Sequence, residues 1–274
     1  MIKETLAIVL AAGKGTRMKS DKPKVLHEIF GKPLLEWVIK AIIGAGISRI
    51  LVVVGHRKER VKEAFKDFNP ETSSGQALEW IDQHEQLGTG HAVKTTGVYL
   101  RLSSGRSLGD FSENIVVLPG DAPLIKAKTI RNLLQWHRKH GADCTILTAK
   151  LDNPEGYGRI CRDKEGEVTR IIEEVDATAD ERKINEVNSG IYCFNAKSLF
   201  DALDLVKPAN KKGEYYLTDV IAILHKMGKR IETICLSESS QIFGVNTAQE
   251  LSEIARWAEI NQKVVKNAAC SSRA

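Results

Sequence analysis

Near the N-terminus, Leu6-Ala7-Ile8-Val9-Leu10-Ala11-Ala12 is an apolar run with no polar interruption, closed by Gly13. A strand with one wet face alternates apolar and polar residues. One that is apolar throughout reads as the centre of a parallel sheet, covered on both faces. Such a sheet needs helices between its strands, and the next stretch carries them. Leu34, Leu35, Trp37, Val38, Ala41, Ile42 and Ala45 recur at helical spacing from Pro33 to Ala45. Pro33 suits the first turn, and Gly44 and Gly46 suit the exit. Ile50 to Val54 is a second buried strand, closed by Gly55. Arg57 to Phe68, His91 to Leu100 and Ala127 to His140 read as helices, and Leu78 to Ile81, Asn114 to Leu118 and Cys144 to Leu151 as strands. This alternation predicts βαβ units, right-handed crossovers and a parallel sheet. Ligands of such sheets bind beyond the carboxyl ends of the strands. Gly13-Lys14-Gly15 and Gly120-Asp121 are therefore expected on one rim.

After Leu151 the pattern changes. Gly158 to Cys161 and Val168 to Glu173 read as short strands joined by the turn Asp163-Lys164-Glu165-Gly166. Ser189 to Phe194 and Ile231 to Leu236 read as further strands, and Tyr216 to Met227 and Ala248 to Lys266 as helices. No Pro/Gly/Ser linker divides the halves, so this part is expected to be a lobe over the sheet. Ser103 to Glu113 and Lys207 to Gly213 read as exposed loops.

The 274 residues fit one large domain or two small ones. With 42% hydrophobic and 27% charged residues, disordered, collagen-like and low-complexity classes are excluded. The net charge of +5 is spread along the chain and argues for neither nucleic acid nor membrane. A local basic pocket for a small anion remains compatible with it. Five cysteines, Cys144, Cys161, Cys193, Cys235 and Cys270, contain no CxxC pair. They fit reduced thiols in a cytoplasm, and four lie in apolar stretches where a buried thiol is expected. Glu4 and the short apolar run after it argue against a signal peptide. No apolar run approaches the roughly 18 residues that span a bilayer.

Three features could carry chemistry. Gly13-Lys14-Gly15-Thr16-Arg17 follows a buried strand, and its glycines would let backbone amides approach phosphate oxygens. It is neither a P-loop nor a dinucleotide fingerprint, since Met18 stands where a third glycine is needed. A plain tight turn is the alternative, although Lys14, Arg17, Lys22 and Lys24 supply cations for a triphosphate. Asp121 behind Gly120 could hold Mg²⁺ through oxygen or simply serve a turn. Asn246 could complete that site or cap the helix starting near Ala248. Glu173 and Asn188 could equally be exposed strand ends.

Leu10-Ala11-Ala12-Gly13-Lys14-Gly15-Thr16-Arg17-Met18, then Lys22-Pro23-Lys24, resembles the signature of the sugar-nucleotide pyrophosphorylases. Glu85-Gln86-Leu87-Gly88-Thr89-Gly90-His91-Ala92, Gly120-Asp121-Ala122-Pro123-Leu124 and Gly156-Tyr157-Gly158-Arg159-Ile160 are similar to the bacterial N-acetylglucosamine-1-phosphate uridyltransferases. So are Glu186-Val187-Asn188-Ser189-Gly190, Gly213-Glu214-Tyr215-Tyr216-Leu217-Thr218-Asp219 and Gly244-Val245-Asn246. The blocks stand in the family's order over residues 5 to 265.

The resemblance implies an α/β, Rossmann-like nucleotide-diphospho-sugar transferase fold, with a mainly parallel central sheet flanked by helices and a smaller sugar-binding lobe. It implies a nucleotidyltransferase domain over 1–246 and a C-terminal helical arm and tail over 247–274. The implied reaction joins UTP to N-acetylglucosamine 1-phosphate, giving UDP-N-acetylglucosamine and pyrophosphate with Mg²⁺ as cofactor. No Ser/His/Asp or Cys/His arrangement suggests a protein nucleophile. Leu10, Ala11, Ala12 and Gly13, with Gln83 and Gly88, would hold the uracil, and Gly15 and Thr16 belong to the same nucleotide loop. Thr89 and Gly120 would lie near the ribose and sugar. Arg17 and Lys24 would grip phosphates, and Asp121 and Asn246 would bind Mg²⁺. Gly158, Glu173, Asn188, Tyr216 and Thr218, with Asn246, would hold the sugar. Arg17, Lys24 and Asp121 are the implied catalytic residues.

Departures are visible. Pro119 stands where relatives often carry Tyr or Cys, Val175 where they are often basic, and the Ser103–Glu113 loop reads as longer. The family's C-terminal left-handed β-helix, which organises a trimer and carries acetyltransferase activity, is not in this sequence, so a monomer or weak oligomer is expected. The same fold with another sugar 1-phosphate or dTTP, or a noncatalytic nucleotide-sugar-binding subunit, are the alternatives.

Overall fold

The computed structural model describes residues 5–68, 77–104 and 114–271, with the backbone alone at 77, 104 and 261–271. The apolar run forms β1 (Thr5–Ala11), followed by a small hairpin of β2 (Glu28–Ile29) and β3 (Lys32–Pro33). Next come α1 (Leu34–Gly44), β4 (Arg49–Val54), α2 (Lys58–Ala64), β5 (Ala77–Asp82) and α3 (Thr89–Ser104). They are followed by β6 (Asn114–Pro119), α4 (Ala127–His140), β7 (Cys144–Lys150), β8 (Arg159–Arg162) and β9 (Val168–Ile172). β10 (Glu186–Asn195), α5 (Ala196–Leu203), α6 (Asp219–Lys226), β11 (Ile231–Leu236) and α7 (Ala248–Ser271) complete the order.

Seven strands lie in the order β11-β7-β10-β6-β1-β4-β5, and the hairpin of β8 and β9 joins through β10. Both neighbours of β1 are parallel to it. Leu6 and Ile8 point into a core shared with α3, α5 and α6, while Ala7 and Val9 point into one shared with α1 and α4. All four are at most 1% exposed. Burial on both faces is thus the period-2 alternation of a strand sandwiched between two helical layers.

β10 runs antiparallel between β6 and β7, so the sheet is mixed at its centre as well as parallel on one side. The expected covering lobe also shares strands with the sheet: β10 and β11 belong to it, and only the β8–β9 hairpin projects from it. Helix α5 was not anticipated. Its signals are local, an Asn195 side chain accepting from the Ser198 amide at 3.1 Å and a buried Ala196, Leu199, Phe200, Leu203 stripe. Ser103 and Ser104 belong to α3, and the rest of the expected loop, 105–113, lies outside the described residues. Cys144, Cys161 and Cys193 are buried, whereas Cys235 on the edge strand β11 is exposed despite its apolar neighbours.

Parallel pairing aligns the strand ends. Leu10 registers with Pro119, Ala11 with Val54, and Val54 with Asp82. The segments after these strands therefore emerge on one rim, as the sequence predicts.

Candidate active site

A cavity of ≈ 600 Å³ opens on this rim. Leu10 to Arg17 form one wall. Gly15 is required there twice over: its φ is +62°, and a Cβ would stand 2.9 Å from Lys24 Cβ. Past it, Thr16–Met18 make one tight turn, and buried Met18 packs against Val245 and Ile254. That anchor faces Arg17 toward the cavity, where its Nη2 donates to Asn246 Oδ1 at 2.8 Å.

Lys24 Nζ donates to Asp121 Oδ2 and, at 3.2 Å, to Asn246 Oδ1. The ion-pair side chains keep 19% and 13% exposure, so the charges are only partly screened. Asp121 is placed by the end of β6: the Gly120 amide donates to Leu10 O at 2.9 Å, and the Val245 amide to Asp121 O at 3.0 Å. Asn246 is not the cap of α7. Thr247 is, in a reciprocal box: the Glu250 amide donates to Thr247 Oγ1 at 3.1 Å and the Thr247 amide to Glu250 Oε2 at 3.3 Å. Capping by the next residue leaves the Asn246 side chain free to face Arg17 and Lys24.

At the second wall, the Gln83 amide donates to Val54 O at 2.7 Å, extending the β4–β5 register to the rim. Gly88 has φ +112°, and a Cβ there would meet Tyr215 O at 2.6 Å. The Gly90 amide donates to Tyr215 O at 2.7 Å, and the Leu217 amide to Thr89 Oγ1 at 3.0 Å. These contacts bolt the start of α3 to residues 214–217.

At the third wall, Thr218 Oγ1 donates to Glu173 Oε1 at 3.1 Å. Burial pushes the Glu173 carboxyl above the usual range, and the Thr218 hydroxyl and Lys212 oppose it. Asn188 Nδ2 donates to Tyr192 Oη at 2.7 Å, and the Gly190 amide donates to Asn188 Oδ1 at 3.1 Å. The register slips between Asn188 and Tyr192, with Gly190 at φ +75°, and this bulge turns Asn188 to the cavity.

Of the sequence candidates, Leu10, Ala11, Ala12, Gly13, Gly15 and Thr16 line the cavity with Arg17, Lys24, Gln83, Gly88 and Thr89. Asp121, Glu173, Asn188, Thr218 and Asn246 line it too. Gly120, Gly158 and Tyr216 do not. Gly158 packs beside the lining: a Cβ there would stand 3.1 Å from Ile171 Cγ2 and 3.6 Å from Asn188 Cβ and Glu173 Oε2. The Tyr216 hydroxyl is buried, with no hydrogen-bond partner among the described residues. Lining residues without a site role in the sequence reading include Gln86, Pro23, Tyr192, Lys212, Glu214 and Leu217. Only fold-level closure brings the 212–217 segment to the glycines at 88 and 90.

The sequence matches the family described as Nucleotidyl transferase over residues 6–259. The chain belongs to the nucleotidyl transferase family. This nucleotidyltransferase is 46% identical to the Bifunctional protein GlmU of Carboxydothermus hydrogenoformans over 249 residues, 91% of this chain and 52% of that protein. It is 45% identical to the protein of the same name from Acetivibrio thermocellus over 251 residues, 92% of this chain and 51% of that one. The chain spans about half the length of the curated relatives it matches. Its fold is shared with a crystal structure of a Bacillus anthracis protein provisionally named a glucose-1-phosphate thymidylyltransferase, in complex with a sucrose. That likeness has a TM-score of 0.71 at 20% identity and covers 93% of this chain and 95% of the other.

Proposed function

We propose that this nucleotidyltransferase transfers a uridylyl group from UTP to N-acetylglucosamine 1-phosphate, releasing pyrophosphate and forming UDP-N-acetylglucosamine. The observation that carries the reading is one cavity lined both by a charged cluster, Arg17, Lys24 and Asp121 with Asn246, and by a hydrogen-bonded pair, Glu173 and Thr218. A triphosphate would suit the charged cluster and a sugar the hydrogen-bonded pair. A sugar-phosphate oxygen would attack the α-phosphorus of UTP in line; the new P–O bond forms as the bond to pyrophosphate breaks. Arg17 would neutralise charge growing on pyrophosphate, and Lys24 the charge on the α-phosphate or the incoming sugar phosphate. Gln83 would read the base, and Glu173, Asn188 and Thr218 would orient the sugar.

Asp121 and Asn246 fit Mg²⁺. Both present hard oxygens, and the two already converge on one cation, the Lys24 ammonium. One carboxylate and an amide leave the remaining positions to phosphates and water, the usual manner of this ion. Mg²⁺ held there would screen repulsion between the two anionic substrates.

The four described cysteines are free thiols, which supports a reducing compartment, the cytoplasm. Among the described residues, no helix is long and apolar enough to cross a membrane. The testing experiment is pyrophosphate release with Mg²⁺ across UTP, dTTP, CTP and ATP against several sugar 1-phosphates. A dominant signal for UTP with N-acetylglucosamine 1-phosphate is expected. Dominance of another pair overturns the substrate assignment.

A further inference from the structure

The orientation of the Gln83 side chain is fixed by two acceptors. Its Nε2 lies 3.1 Å from Gly88 O and 3.0 Å from His91 Nδ1. A carbonyl oxygen only accepts, so the amide face toward Gly88 must be the nitrogen. The second N–H then runs to His91 Nδ1, which accepts with its lone pair and leaves the ring proton on Nε2. Both donors of Gln83 are used inside the protein. Its Oε1 accepts no hydrogen bond among the described residues, and the side chain lines the cavity while only 4% exposed.

The two orienting groups are themselves held. Gly88 lies close to the Tyr215 backbone: a Cβ there would meet Tyr215 O at 2.6 Å, and the Tyr215 amide donates to the neighbouring Leu87 O at 2.7 Å. His91 stands in the first turn of α3, beside the Gly90 amide that donates to Tyr215 O, with its ring 6.4 Å from the Tyr215 ring.

We propose that His91 is a positioning residue for base selection. It holds Gln83 so that only an acceptor, Oε1, faces the base. Uracil and thymine carry an N3–H that this acceptor can bond. Cytosine presents a lone pair at N3, which faces the same oxygen with repulsion and leaves it unpaired. Without His91 the amide keeps one orienting bond, to Gly88, and can turn its nitrogen toward the base more readily. The inference rests on reading Gln83 as the group that meets the base.

The test compares UTP, CTP and dTTP with N-acetylglucosamine 1-phosphate in three variants. His91→Leu keeps bulk and removes the acceptor; His91→Asn returns an oxygen acceptor to the place of Nδ1; Gln83→Leu removes the reader. His91→Leu is expected to lower the UTP:CTP ratio of kcat/KM about three- to tenfold, one neutral hydrogen bond's worth. The loss should enter through the KM for UTP. His91→Asn should restore most of it. The UTP:dTTP ratio should not move, because thymine carries the same N3–H. An unchanged UTP:CTP ratio in folded His91→Leu, or an equal fall in UTP:dTTP, overturns the proposal. If Gln83→Leu also leaves UTP:CTP unchanged, the reading of Gln83 itself fails. If it collapses the ratio while His91→Leu does not, the role of His91 alone fails. Nitrogen NMR of the native imidazole gives a check that needs no variant: a proton on Nε2 is expected, and one on Nδ1 overturns the proposal.

Discussion

In one part of the cavity lining, Arg17, Lys24, Asp121 and Asn246 meet as charges and hard oxygens on segments up to 229 residues apart. In another, two hydrogen-bonded pairs, Thr218 with Glu173 and Asn188 with Tyr192, lie where burial pushes the Glu173 carboxyl up. The first group suits ligands whose charge must be neutralised, and its ion pair keeps some exposure to the cavity. The second suits a neutral polar ligand, whose hydroxyls can replace water only where donors and acceptors are preset. Two substrates of different chemistry can thus be held in one cleft without competing for the same groups.

The strongest way to break this division is Asp121→Ala. Turnover is expected to fall on the order of 10³-fold, as when one preorganised electrostatic group is lost. Circular dichroism should be native. Near-normal Mg²⁺-dependent pyrophosphate release would remove Asp121 from the charged group.

Glu173→Ala should act on the other substrate. Losing hydrogen bonds from a carboxyl should raise the KM for the sugar phosphate about 10- to 100-fold. A change confined to the KM for UTP would show that the two groups are not separate.

Adjacent residues sharpen the comparison further. Thr247→Ala removes the cap of α7 and should cost about 1 kcal/mol in denaturant unfolding, with metal dependence unchanged. Asn246→Ala should do the reverse, weakening turnover and leaving the unfolding midpoint in place. Matching stability losses in both would return Asn246 to a capping role.

The smallest effect is a pH signature. Glu173 binds its proton more tightly folded than unfolded, because burial disfavours the carboxylate. Its ionisation therefore costs stability as pH rises from the unfolded carboxyl value through the raised folded value. Glu173→Gln should raise the melting temperature at neutral pH, and the gain should shrink as pH falls toward 4. A constant difference across that range would count against a buried carboxyl.

Much of the fold was legible because its signals are local. β1 announces itself by composition alone, and α1 and α4 by spacing that survives in the structure within two residues. The antiparallel insertion of β10 was not legible, since a strand's direction is set by which neighbours it meets. Cys235 shows the same limit: its neighbours are apolar, but β11 is an edge. In the site, the glycine loop, Asp121 and Asn246 could be named from sequence. Gly120, Gly158 and Tyr216, named with them, stand outside the lining, and Lys212, Glu214 and Tyr192 line the cavity without having been assigned to the site.

The sequence by itself determined a layered α/β sheet with a ligand rim, because hydrophobic period and strand-end chemistry act between near neighbours. Tertiary structure alone decided that Asn246 faces Lys24, and that Gln83 turns its nitrogen to Gly88 and His91. These are choices of one hydrogen bond over another of similar strength. They are settled only when packing fixes which partner lies within 3 Å or so.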